Sequence, residues 1–213
     1  MECKHPRTYH FENSNPSSDD KIQQDISILE NNIIVVTEKM DGENTSLTRD
    51  KCYPRSIDGK YHESRTYIKS KWASIKNEIP EGWRIVCENM YAKHSIHYHN
   101  LSDYVIGLFI FNEDNLCLNY DSTLEWFKLF DICPAKELYR GTLREAFKIF
   151  PKSLNLHLQE GFVIRNINSF KYEEFSKNVI KWVRPNHVQT DKHWLKSKLI
   201  KNGLELENRD DIK

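Results

Sequence analysis

The stretch that most constrains this chain runs from Asn32 to Lys39. It carries four β-branched residues in succession, Ile33, Ile34, Val35 and Val36, which stiffen the backbone and pack well on a pleated surface. The run reads as a strand. Asp41-Gly42 follows, and Thr45 to Arg49 reads as a returning strand. Asp-Gly between two strands signals a type I′ hairpin turn. On that reading alone, Lys39 is an exposed strand residue with no chemistry attached.

The rest of the chain alternates short strands with helices. Residues 12–20 are polar, contain Pro16 and read as a loop. Ile68, Trp72, Ile75 and Ile79 recur at helical spacing, which predicts a helix over Ser64 to Ile79, stopped by Pro80 and Gly82. Strand patterns follow at Trp83 to Glu88 and Tyr104 to Phe111. Ser122 with Glu125 has the capping-box pattern and predicts a helix through Phe130. Thr142 with Glu145 has the same pattern, ahead of a stripe of Leu143, Ala146, Phe147 and Phe150. Strands recur at Gly161 to Arg165 and Val179 to Val183, and a last helix is expected from Asp191 to about Asn202, with Gly203 as its C-cap. Strands in antiparallel-looking pairs with helices between them make an α+β pattern, not a regular βαβ alternation.

Composition removes several classes. With 213 residues, 38% hydrophobic and 29% charged, the chain can bury a core and is not expected to be disordered. No apolar run is long enough to cross a bilayer, and the first residues lack the apolar region of a secretory signal. An intracellular, soluble protein is the expectation. Five cysteines, none spaced as CxxC, point to reduced thiols instead of a disulfide framework or zinc knuckle. Formal net charge is zero. Between Arg165 and Lys201, however, nine Lys or Arg face three acids, a segment that could hold phosphates or form a solvated helix face.

Six short segments carry chemistry, in this order: Lys39 in KMDG, Arg55 in PRS, Glu88 at the end of RIVCE, Phe111 at the end of GLFIF, Glu160 opening EGFVIR, and Lys181 in VIKWVR. Each alone has an ordinary reading as a surface or core residue. Together they resemble the motif series of covalent nucleotidyltransferases, a group that includes RNA ligases, DNA ligases and mRNA capping enzymes. EKMDGEN, the YAKHSI stretch after Glu88 and the HVQTDKHW segment are most similar to small ATP-dependent RNA ligases. The resemblance covers about Lys4 to Trp194.

The resemblance implies a single α+β nucleotidyltransferase domain over residues 1–213, with a core at about 31–185 and a helical tail at 186–213. Antiparallel sheets flanked by helices would surround an ATP cleft. It implies that Lys39 attacks the α-phosphate of ATP to form lysyl-AMP. A free lysine is protonated at neutral pH, so its pKa should be depressed by burial and by cations, with Lys181 supplying positive charge and gripping phosphate. Glu38 would contact the adenine amino group, Glu88 the ribose hydroxyls, and Phe111 the adenine face, with Phe109 the alternative. Arg55 would hold a phosphate. Glu160 would help hold Mg²⁺ or Mn²⁺, which prefer hard carboxylate oxygens. Asn44 would touch the RNA end, suiting a ribose 2′-hydroxyl. The substrates implied are RNA 5′-phosphate and 3′-hydroxyl ends.

Two departures stand out. The last motif of the family often pairs two basic residues one position apart, and here the pair is Lys181 and Val183. Arg184 could substitute, but on a regular strand it should point to the opposite face. About thirty residues remain after this motif, too few for a C-terminal OB domain, so RNA grip is expected to be weak or supplied by a protein partner, with the chain a monomer. His94, His97 and His99 raise a zinc site, although His94 is better placed as a hydrogen-bond donor near the nucleotide. His5, Arg7, Tyr9 and His10 could touch RNA or form a docked terminal segment. Alternative functions are a DNA ligase, a GTP-dependent capping-type enzyme, and a non-catalytic nucleotide- or RNA-binding module.

Overall fold

The β-branched run becomes a central strand. A computed structural model describes residues 3–12, 14, 20–57, 61–185 and 199–205. In chain order its strands are β1 (Tyr9–His10), β2 (Ile34–Glu38), β3 (Glu43–Leu47), β4 (Cys52–Pro54), β5 (Arg84–Asn89), β6 (Val105–Phe111), β7 (Leu116–Cys117), β8 (Cys133–Pro134), β9 (Glu137–Gly141), β10 (Gly161–Asn166), β11 (Phe170–Lys171) and β12 (Val179–Val183). The helices are α1 (Ser27–Glu30), α2 (Thr66–Ile75), α3 (Tyr120–Leu129), α4 (Leu143–Ile149) and α5 (Phe175–Asn178). Two sheets result. One has the order β1-β12-β10-β2-β9, the other β11-β7-β6-β5-β3-β4 with β8 added beside β6. Pairings are antiparallel except β1 with β12 and β6 with β8. The α+β reading therefore holds.

The hairpin reading of Asp41-Gly42 does not hold. β2 pairs with β9 and β10, whereas β3 pairs with β4 and β5. The turn is a crossover from one sheet to the other. Long-range pairing outweighs the local turn signal, because β2 buries Ile34, Val35 and Val36 completely between neighbours on both edges.

Three of the four apolar clusters among the described residues hold the layers around the site. Ile68, Ile75 and Ile79, from α2 and the turn after it, pack on Leu47, Ile85 and Val105 of the second sheet together with Phe127 and Phe130. Leu143, Ala146 and Phe150 of the α4 region pack on Ile34, Val36, Phe162 and Trp182 of the first sheet. Phe109, Phe111, Phe170, Phe175 and Val179 join the two sheets. At ~25 cal/mol per Å² of apolar area removed from water, such clusters dominate the favourable side of folding.

Local signals fared unevenly. Thr142 caps α4 as expected, its side chain accepting from the Glu145 amide. Ser122 does not cap α3. The helix starts at Tyr120, and the cap is Asn119, whose side chain accepts from the Ser122 amide at 2.9 Å. The expected final helix lies mostly on 191–198, outside the described residues, as do His187 and His193. Residues 199–205 are not helical. Gly203 caps nothing there. Its amide donates to the Tyr98 carbonyl at 2.8 Å, and a Cβ on it would meet the His99 carbonyl oxygen at 2.9 Å. Asn202 is buried beside it and donates to the Met90 and Ala92 carbonyls. No described helix is long and apolar enough to cross a membrane.

Candidate active site

Lys39 follows directly on β2, where its backbone amide still donates to the Gly161 carbonyl at 3.1 Å. That bond aims its side chain into a cleft of about 270 Å³ between the two sheets, near the lower end of the range for small-molecule sites. The Lys39 amine donates to the Glu160 carboxylate and, at 3.4 Å, to the Met40 carbonyl. Glu160 is held just before β10, where its carbonyl accepts from the Arg184 amide. Glu88 enters from β5 on the second sheet. Its carboxylate accepts from the Gly42 amide at 3.2 Å and the Asn44 side chain at 3.4 Å.

Asp41 has a different task. Its carboxylate accepts from the Ser95 and Ile96 amides at 2.8 and 2.9 Å. It pins the stretch after Glu88 to the crossover and is itself buried. Gly42 is required by crowding: a Cβ there would sit 2.5 Å from the Asn89 carbonyl oxygen and 2.7 Å from Met90 Sδ. The crossover is thus fixed just after the nucleophile candidate.

The electrostatics differ from expectation at Lys39. Burial disfavours the ammonium, but Glu160, Glu88 and Asp41 together outweigh it and raise the pKa. The expectation of a depressed pKa is corrected for the protein's side chains by themselves, where the neighbouring carboxylates outweigh burial. Glu88 is pushed up to about 7, chiefly by burial, with Lys39 opposing. Lys181 is lowered by burial, with Asp20 opposing and the Lys39 charge adding to the shift. Burial also raises Glu38, against a hydrogen bond from Gln159.

The cleft is lined by Glu38, Lys39, Asn44, Arg55, Glu88 and Lys181 among the residues singled out from sequence. Glu160 reaches it through its ion pair with Lys39. Arg55 donates through Nε to the His5 carbonyl at 3.1 Å. Phe111 stays outside. It is fully buried where β7 pairs with β6 and the Tyr172 and Phe175 rings pack on it, with the Arg84 guanidinium 4.5 Å from its ring centroid. Phe109 lines the cleft instead, packed against a stacked His5 ring at 5.5 Å, the Phe175 ring at 5.2 Å and the Arg165 guanidinium at 5.2 Å. Arg184 does not replace the missing basic residue of β12. It is buried and bound to the Leu156 carbonyl. Arg165 is likewise buried, donating to the Leu118 carbonyl at 2.8 Å among aromatic rings. Among its described residues, the basic segment is therefore not one exposed phosphate-binding face.

Sequence reasoning left one contributor open and missed another. His5 to Thr8 line the cleft, and β1 docks beside β12, so the N-terminal segment is part of the wall. Asp20 also lines it, 3.5 Å from Lys181 and 3.1 Å from His10 Nε2. No local pattern marks a single aspartate after a polar loop. His94 does not line the cleft, and the His97 and His99 rings lie 4.2 Å apart, beside the Lys201 carbonyl. Among the described residues no three His, Cys, Asp or Glu could hold a metal by themselves.

The family model described as RNA ligase matches residues 32–183. No curated protein matches. Among solved structures, an archaeal ATP-dependent RNA ligase superposes with a TM-score of 0.59 at 12% identity, over 84% of this chain and 48% of that one. A putative ATP-dependent DNA ligase from Aquifex aeolicus gives 0.55 at 14%, over 87% and 56%. A Naegleria gruberi RNA ligase mutant with ATP and Mn gives 0.50 at 12%, over 88% and 57%. The chain spans about half the length of these proteins, and at such identities the likeness is one of fold.

Proposed function

The chain belongs to the RNA ligase family, and from that premise we propose that it is an ATP-dependent RNA ligase that carries AMP on Lys39. The observation that supports this most is the convergence of Lys39, Glu88, Glu160 and Lys181, from four separate strands or strand ends, around one cleft. We read the chain as one nucleotidyltransferase domain built around that cleft.

In the proposed reaction the Lys39 amine attacks the α-phosphorus of ATP. A phosphorus–nitrogen bond forms, the bond to the β-phosphate oxygen breaks, and pyrophosphate leaves. AMP then passes to an RNA 5′-phosphate and frees Lys39. A 3′-hydroxyl finally displaces AMP and closes the strand. Each step is an in-line displacement, so positioning and charge neutralisation supply most of the rate. Lys181 would stabilise charge on the transferred phosphate. Glu88 would accept from the ribose hydroxyls, and Glu38 from the adenine amino group. Phe109, not Phe111, would stack on the base. Arg55 would hold phosphate, and Asn44, already tied to Glu88, would meet the RNA end. Glu160 is the hard oxygen donor that would help hold Mg²⁺ or Mn²⁺ together with substrate oxygens, and the cation would offset the carboxylate charge that keeps Lys39 protonated.

Intact-mass measurement after incubation with ATP and Mg²⁺ or Mn²⁺ tests this reading. One AMP should be gained by the native protein and none by Lys39→Ala. An adduct that persists in the variant would move the nucleophile elsewhere. Labelling by GTP but not ATP would favour a capping-type enzyme, and sealing of nicked DNA but not RNA a DNA ligase. RNA binding with no AMP adduct would favour a binding module.

A further inference from the structure

β12 delivers one cation to the cleft. Lys181 lines it, Val183 is buried, and Arg184 is tied to the Leu156 carbonyl. The N-terminal segment runs along the same wall and is anchored at both ends. At one end the His5 carbonyl accepts from Arg55 Nε at 3.1 Å, and the Lys4 carbonyl accepts from the Tyr172 hydroxyl at 2.6 Å. At the other, His10 of β1 lies opposite Lys181 in a parallel pairing, and the Phe11 amide donates to the Lys181 carbonyl at 2.8 Å. Arg7 falls between these anchors. It is exposed, it lines the cleft, and its charge is close enough to bear on Arg55.

Arg7, Arg55 and Lys181 thus reach one cavity from three separate elements. Like charges gathered at one mouth repel one another, and a polyanion seated among them relieves that repulsion. Two guanidinium groups also present paired donors suited to phosphate oxygens. We propose that Arg7 and Arg55 form a phosphate-binding pair, with Arg7 supplying from the N-terminal segment the positive charge that β12 lacks. The ligand chemistry is a phosphate oxyanion, and the two sources are the triphosphate tail of ATP and the 5′-phosphate of an RNA end. The inference rests on the ligase reading above.

The test uses the full chain with Arg7→Ala and Arg7→Lys, each checked by thermal melting. One arm measures AMP transfer to the protein against ATP concentration without RNA. The other loads the protein with AMP first and measures transfer to a 5′-phosphorylated RNA. Loss of a charge-assisted contact should cost Arg7→Ala about tenfold or more. It should appear as a raised KM for ATP in the first arm or a slowed transfer in the second, with melting unchanged and partial recovery in Arg7→Lys. Loss in the first arm assigns the pair to ATP, and loss confined to the second assigns it to the RNA end. Rates unchanged in both arms overturn the proposal. So does an equal loss in both variants that tracks a fall in melting temperature. A native protein that never acquires AMP sinks the ligase reading instead, and that result is visible before any variant is compared.

Discussion

At the residue scale, the site holds its nucleophile candidate in the wrong protonation state for attack. Glu160, Glu88 and Asp41 keep the Lys39 amine charged, and only the neutral amine has a lone pair to give. The rate of AMP transfer to Lys39 at saturating ATP and metal should therefore climb with pH between 6 and 9, by up to about tenfold per unit. Single-turnover labelling across that range checks it, and a flat profile would place the slow step after proton loss. Glu88 supplies a second test. Its carboxyl titrates near 7 in the folded protein and at 4.5 when free of it. Its contribution to stability is therefore full below 4.5 and is lost as pH rises through 7. Glu88→Gln removes that dependence while retaining one acceptor for the Gly42 amide or the Asn44 side chain. Between pH 5 and 8 its stability relative to the native protein should improve, by at most about 3 kcal/mol. Thermal melts at the two pH values would show the change, and a constant difference would mean that Glu88 does not titrate there.

At the scale of elements, the crossover from β2 to β3 does what a hairpin could not: it places consecutive residues on facing sheets. Gly42→Ala should press a methyl group against the Asn89 carbonyl and Met90 Sδ, costing about 1–3 kcal/mol. Denaturant melts would register the loss, and a neutral substitution would mean that the crossover has room to shift. Much of this level was legible beforehand. β2, β5, β6, β10, β12 and the α4 cap follow from β-branched runs, helical spacing and cap chemistry, all of which act over a few residues. Sheet membership was not, since Asp41-Gly42 carries the same local signal in a hairpin and in a crossover. Phe109 and Phe111 could not be told apart for a related reason. They share a face of β6 and both touch Phe175, and what separates them is that Arg84 and Tyr172 pack on Phe111 whereas Phe109 borders the cleft. The N-terminal segment could be read as docked or as an RNA contact, and the sequence could not choose, because two residues pairing with a strand 170 positions away leave no periodicity to read.

At the scale of the whole molecule, the cleft has walls from both sheets and from the N-terminal segment, so a ligand bound there must be released before any of the three can unfold. Binding to the folded state alone adds stability by mass action, about 2.7 kcal/mol at a hundredfold excess over Kd. For a chain of this size that corresponds to a rise in melting temperature of roughly 5–10 °C. Lys39→Ala cannot be adenylylated on the proposed reading, which makes it the right background for measuring ATP binding without covalent trapping. Phe109→Leu and Phe111→Leu, placed in that background, should both lower the melting temperature, because both rings belong to the cluster joining the sheets. Their responses to ATP should differ. Phe109→Leu removes the ring that lines the cleft and should shrink the ATP-induced rise, whereas Phe111→Leu, shielded beneath Arg84, should keep it. If Phe111→Leu instead abolished the rise while Phe109→Leu retained it, the base would have to lie on the other side of β7, and the cleft bordered by Lys39 and Lys181 would not be the nucleotide site.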